Sequence, residues 1–314
     1  MAGLGCKNRQ LGRLIAKLAL ALVPAVFAWP AAAQAGCGTA GTEACQIAQG
    51  SYHVVLPRTG VAAPPSPVRA GAAPRRPAVM FLHGYGGSGA GALRNQTLVG
   101  ALTARGYAVI APDALSRGVG RPRSWTFFPG WQGRDEVGFL QQVAQDAADR
   151  FDLDRQAMVL AGFSAGGFMV SYLACDSPDA FAAYAPVAGG FWRPQPDHCA
   201  GPVRLFHSHG WTDAVVPLEG RFLGGGRFQQ GDIFAGLALW RQTNGCQEQA
   251  PAQRSREGAV LRRRWDCAPG ADIEFVLFPE GHQVPAAWAG WLLDWFEAGR
   301  IDPAKPQQAL GRTD

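Results

Sequence analysis

The sequence predicts an α/β fold in which a mostly parallel central sheet is covered by helices on both faces. Three observations lead there. Short, wholly apolar runs recur along the 314 residues, as expected of strands buried on both sides. Segments with apolar residues at helical spacing lie between them. The two kinds alternate, which implies right-handed crossovers and parallel pairing.

Tyr52-His53-Val54-Val55-Leu56 reads as an early strand. The Pro-, Ala- and Arg-rich stretch from Val61 to Pro77 follows as a long surface loop. Ala78–Leu82 is a buried strand that ends in glycine-rich sequence. Leu93–Arg105 is then expected as a helix stopped by Gly106. Tyr107–Ala111 is the next strand. In Asp135–Phe151, Val137, Leu140, Val143, Ala144 and Ala147 mark one helical face, with acids in the first turn. Ala157–Ala161, Ala182–Ala188, Val203–Phe206 and Ile273–Phe278 are further strands. Ala165–Ala174, Ile233–Gln242 and Ala286–Ala298 are helices. No internal repeat is visible, and residues 36–314 read as one domain.

Residues 1–35 read as a signal peptide. Lys7, Arg9, Arg13 and Lys17 form a basic head, Leu18 to Trp29 an apolar stretch, and Ala33-Gln34-Ala35 an A-x-A cleavage site. The expected location is secreted or periplasmic, with no stable membrane insertion after cleavage. Those four basic residues account for most of the formal net charge of +5, leaving about +1 (5 − 4) on the remaining chain. That excludes a nucleic-acid partner argued from net charge. Six cysteines remain, Cys37, Cys45, Cys175, Cys199, Cys246 and Cys267. An even number in an exported chain reads as three disulfides, and sequence-neighbour pairs close the shortest loops. No cysteine–histidine spacing suits a metal, and nothing calls for a cofactor.

Gly162-Phe163-Ser164-Ala165-Gly166 follows an apolar strand and opens a helix, the setting in which a serine stands on a sharp turn with its Oγ accessible. A nucleophilic serine needs a base and a group to orient it. In parallel sheets such residues gather at the carboxyl ends of strands. His282 follows Ile273–Phe278 and Asp213 follows Val203–Phe206, although Asp197 and Asp232 lie in nearby loops. A developing oxyanion needs N–H donors. Ala165, the residue after the serine, and Tyr85, in His83-Gly84-Tyr85-Gly86-Gly87-Ser88-Gly89, are the candidates. His83 is expected to brace that turn, and His207 and His209 to pack or line a pocket. Trp125, Phe127, Phe128 and Trp131, together with Trp211, are candidate walls for an apolar acyl group.

His83–Gly87, Asp113, Asp135–Phe139, Gly162–Gly167, Asp213-x-x-Val216-Pro217 and Gly281-His282 stand in an order that resembles the secreted polyhydroxybutyrate depolymerase and feruloyl esterase group of α/β-hydrolases. The resemblance spans roughly Ala78 to Phe296. It implies an α/β-hydrolase fold, Ser164, Asp213 and His282 as triad, and Tyr85 and Ala165 at the oxyanion hole. It also implies a polymeric, oligomeric or small ester as substrate. The tryptophan usual near the histidine is replaced by Gln283-Val284-Pro285. A prolyl-oligopeptidase-like peptidase shares the triad order, and a silent binding protein on this scaffold is the non-enzymatic alternative.

Overall fold

Ten strands form one sheet in the computed structural model, which describes residues 37–299 apart from 65–74, 117, 119, 248 and 249. In chain order they are β1 (Cys45–Ile47), β2 (Gly50–Val55), β3 (Arg76–Leu82), β4 (Ala108–Pro112) and β5 (Leu153–Phe163). The later five are β6 (Ala183–Val187), β7 (Arg204–Gly210), β8 (Gln253–Glu257), β9 (Val260–Asp266) and β10 (Asp272–Phe278). Their spatial order is β1-β2-β4-β3-β5-β6-β7-β10-β9-β8. The six from β4 to β10 run parallel, with antiparallel pairs at both edges. The signal-peptide reading and most of the proline-rich loop lie outside the described residues.

The helices are α1 (Gly89–Leu93), α2 (Gln96–Ala104), α3 (Glu136–Phe151), α4 (Ala165–Asp176), α5 (Ile233–Thr243) and α6 (Trp288–Ala298). One core layer joins Leu140 and Val143 of α3, Phe168 of α4 and Leu237 of α5 to Met80 and Leu160 of the sheet. The other joins Leu98 and Leu102 of α2 and Leu292 and Leu293 of α6 to Val79 and Val159. Adjacent strand residues thus face opposite layers, which is why the central strands read as unbroken apolar runs.

One expectation is corrected, and one pair of strands was not foreseen. The helix expected over Leu93–Arg105 is divided, because the Asn95 side chain accepts from the Leu98 amide and caps α2 afresh. The β8–β9 hairpin was not legible. It carries Arg254, Arg256, Arg262, Arg263 and Arg264, and β8 is wholly exposed, so neither strand shows an apolar signature. Disulfides join Cys37 to Cys45, Cys175 to Cys199 and Cys246 to Cys267. They fit an oxidising compartment.

Candidate active site

Ser164 occupies the single residue between β5 and α4, with φ 56° and ψ −116°. A non-glycine residue held at positive φ costs roughly 1–3 kcal/mol, so surrounding structure must impose it. Three glycines do so by close approach. A Cβ on Gly162 would stand 2.5 Å from the Gly166 carbonyl oxygen, and one on Gly167 would stand 2.7 Å from that of Val187. A Cβ on Gly166 would run into the Leu82 carbonyl. The Ser164 amide also donates to Val187 O at 2.9 Å, fastening the turn to β6. Ser164 Oγ makes no helix-capping bond.

That hydroxyl lies 2.9 Å from His282 Nε2. His282 Nδ1 lies 2.7 Å from Asp213 Oδ2. The other oxygen, Asp213 Oδ1, accepts from the amides of Val215 at 2.9 Å and Val216 at 2.8 Å. The buried carboxylate is therefore aimed by its own turn. Of the two rival acids, Asp232 caps α5 through the Ala235 amide, and Asp197 is exposed. The Phe163 ring lies against the imidazole, with centroids 4.7 Å apart. Gly210 lets the turn before His282 come close, since a Cβ there would strike the carbonyls of Glu280 and Gly281.

His209 and His207 are buried behind this line. His209 Nε2 donates to Val216 O at 2.8 Å and lies 3.7 Å from Asp213 Oδ2. Burial lowers the pKa of both, His207 well below its ordinary value, and each ring's proximity to a neighbouring histidine adds to this. They pack and brace, and neither lines the cavity beside Ser164.

The turn after β3 is braced from within. His83 Nδ1 donates to Gly84 O at 2.7 Å, while Nε2 accepts from the Ala114 amide at 3.2 Å, which specifies a neutral tautomer. Burial also lowers the His83 pKa. The Gly87 amide donates to Gly84 O, and the Gly86 amide to Arg123 O at 2.9 Å. Tyr85, 67% exposed, and Ala165 both line the cavity beside Ser164.

That cavity holds about 540 Å³. Of the five aromatic residues named from the sequence, Phe127 and Trp131 line it and the other three do not. Trp125 is fully buried and donates its indole N–H to His83 O at 2.8 Å, supporting the turn from behind. Phe128 packs against Trp131, Trp192 and Phe228. Trp211 is exposed, away from the lining. Sequence reasoning missed Phe168, Trp192, Val215, Leu223, Arg121, Arg221 and Gln230. Trp192 follows the exit of β6, and strand exits were the one signal that could have found it. Among the described residues no group of three or more His, Cys, Asp or Glu could hold a metal, and no helix is long and apolar enough to cross a membrane.

A protein-family profile for the alpha/beta hydrolase fold matches residues 77–213, covering the turn after β3, the serine and Asp213. Acetyl xylan esterase from Aspergillus awamori superposes with a TM-score of 0.54, covering 79% of this chain and 93% of that one at 14% identity, which shows the fold. Together these show that the chain has the α/β-hydrolase fold. In sequence, this chain is 28% identical to feruloyl esterase D from Neurospora crassa over 57% of its own length and 55% of that protein. It is 30% identical to poly(3-hydroxyalkanoate) depolymerase C from Paucimonas lemoignei over 37% of its length and 28% of that protein. The chain spans about half the length of the first curated relatives it matches, from 42% to 66%.

Proposed function

We propose that this protein is an exported serine ester hydrolase working through an acyl-enzyme on hydroxyalkanoate-type oligomers or related carboxylic esters. In this reading residues 1–35 are removed as a signal peptide and 36–314 form the catalytic domain. The observation that carries it is the hydrogen-bonded line Ser164–His282–Asp213 beside a cavity walled largely by apolar side chains.

His282 Nε2 takes the Ser164 proton as Oγ bonds to the ester carbonyl carbon. Asp213 holds the Nδ1–H tautomer and stabilises the imidazolium. The amides of Tyr85 and Ala165 donate to the carbonyl oxygen as it becomes an oxyanion. The tetrahedral intermediate then breaks its bond to the alcohol oxygen, which leaves with the proton held on Nε2. Water attacks the acyl-enzyme, giving its proton to Nε2 and its oxygen to the acid. Ser164 departs and regains the proton.

A feruloyl- or acetylxylan-type ester is the second reading. The names of the relatives and the aromatic wall of Phe127, Trp131, Phe168 and Trp192 favour it. Labelling by a fluorophosphonate probe and turnover of short p-nitrophenyl esters, both lost in Ser164→Ala, test the enzyme itself. Oxidised wild type that neither labels nor turns over would refute it. Release of hydroxybutyrate against release of ferulate separates the two substrate classes.

A further inference from the structure

The cavity beside Ser164 has a charge that ester hydrolysis alone does not require. Two arginines, Arg121 and Arg221, are among its lining residues, and among the described residues no aspartate or glutamate lines it. The remaining polar lining residues are the neutral Tyr85, Ser124, Ser164 and Gln230. The net formal charge of the wall is therefore positive in a protein whose chain beyond residue 35 is nearly neutral.

The two guanidinium groups come from segments tied to the catalytic loops. The chain around Arg121 is pinned by Ser116 Oγ, which donates to Arg121 O at 2.7 Å. Ser116 and Leu115 pair with Arg123 and Ser124, and Arg123 O accepts from Gly86 in the turn carrying Tyr85. Arg221 donates its Nε–H to Val215 O at 2.8 Å, and Val215 belongs to the turn that aims Asp213. Anchoring at Nε orients the rest of the fork. A guanidinium fork matches a planar carboxylate and is weakly hydrated, so it binds such a group better than a point charge would.

Resting on the ester-hydrolase reading, we infer that the substrate is an ester bearing a free carboxylate, held by Arg121 and Arg221 while Ser164 attacks the ester carbonyl. An acid-terminated oligoester has that chemistry. An esterified sugar or the interior of a polyester chain does not. The arginines thus favour short, acid-ended oligomers among the candidate substrates, and an oligomer shortened by hydrolysis always presents a new carboxyl end.

The experiment compares a hydroxybutyrate dimer as the free acid with the same dimer capped as its neutral terminal amide, cleaved by the purified oxidised protein. The acid is expected to show kcat/KM about tenfold or more above the amide, the scale of one charge-assisted hydrogen bond. The advantage should shrink in about 0.5 M salt as exposed charges are screened. In Arg121→Gln/Arg221→Gln the acid-to-amide ratio should collapse toward one; the ratio, not the absolute rate, is the readout. Equal rates in wild type, or a ratio that survives the double substitution, would overturn the inference. So would turnover of p-nitrophenyl acetate with neither dimer cleaved. A protein that cleaves nothing and takes up no fluorophosphonate refutes the ester-hydrolase reading first.

Discussion

The two halves of the proposed catalytic line are positioned by different means. On the nucleophile side the backbone does the work. Gly162, Gly166 and Gly167 each sit against carbonyl groups with no room for a Cβ, and α4 behind Ser164 is almost wholly buried. On the base side the turn bearing His282 meets the sheet through one such glycine, Gly210, and a Cβ on Gly281 itself would find only ordinary contact at 3.5 Å. The imidazole is instead fixed by its partners, Asp213 at 2.7 Å and the Phe163 ring. Interiors are close-packed and respond steeply to overpacking, whereas a turn set by hydrogen bonds can shift. Damage to the first side should therefore appear as lost stability, and damage to the second as lost rate.

The largest effect is expected at Gly166→Ala, where the methyl group meets the Leu82 carbonyl. About 3 kcal/mol or more of stability should be lost, read by denaturant unfolding, with fluorophosphonate labelling lost in step. Asp213→Asn should leave the unfolding midpoint close to wild type but lower kcat by about 10⁴, as expected when the base loses its orienting carboxylate. Equal stability losses in these two variants would break the comparison. Gly210→Ala should push the Glu280–Gly281 backbone away and misplace His282. A fall in kcat of about 100-fold is expected, with a smaller stability loss than at Gly166. Gly281→Ala should change kcat less than about threefold, since only ordinary contacts await the methyl group.

A further expectation concerns pH. His83, His207 and His209 are braces whose folded pKa values are lowered, chiefly by burial. The unfolded chain, titrating near 6.5, binds protons on these rings that the native state resists. Their stabilisation is therefore intact above about pH 6.5 and lost as pH falls toward their folded pKa values. The melting temperature should decline over that acid range. In His207→Gln the decline should be shallower, and an unchanged slope would remove His207 from this account.

The central strands and the serine turn were legible because burial on both faces leaves a local mark, an unbroken apolar run ended by glycines. The same logic found His282 and Asp213 at strand exits, yet it could not choose Asp213 over Asp232 until the Ala235 amide was seen to occupy the latter. The β8–β9 hairpin escaped because an exposed, arginine-rich edge has no apolar period to read. Aromatic content alone misled at Trp125 and Trp211, one a buried brace and the other on the surface.

What the sequence by itself determined was the succession of central strands and helices along the chain, the tight turn at Ser164 and the residue types able to carry proton transfer, all written in neighbouring residues. Only the tertiary structure decided which acid faces the imidazole, which aromatic rings wall the cavity, and that Arg121 and Arg221 share it. Those relations join segments tens to more than a hundred residues apart. They arise where strand ends and loops converge, and no local periodicity encodes that convergence.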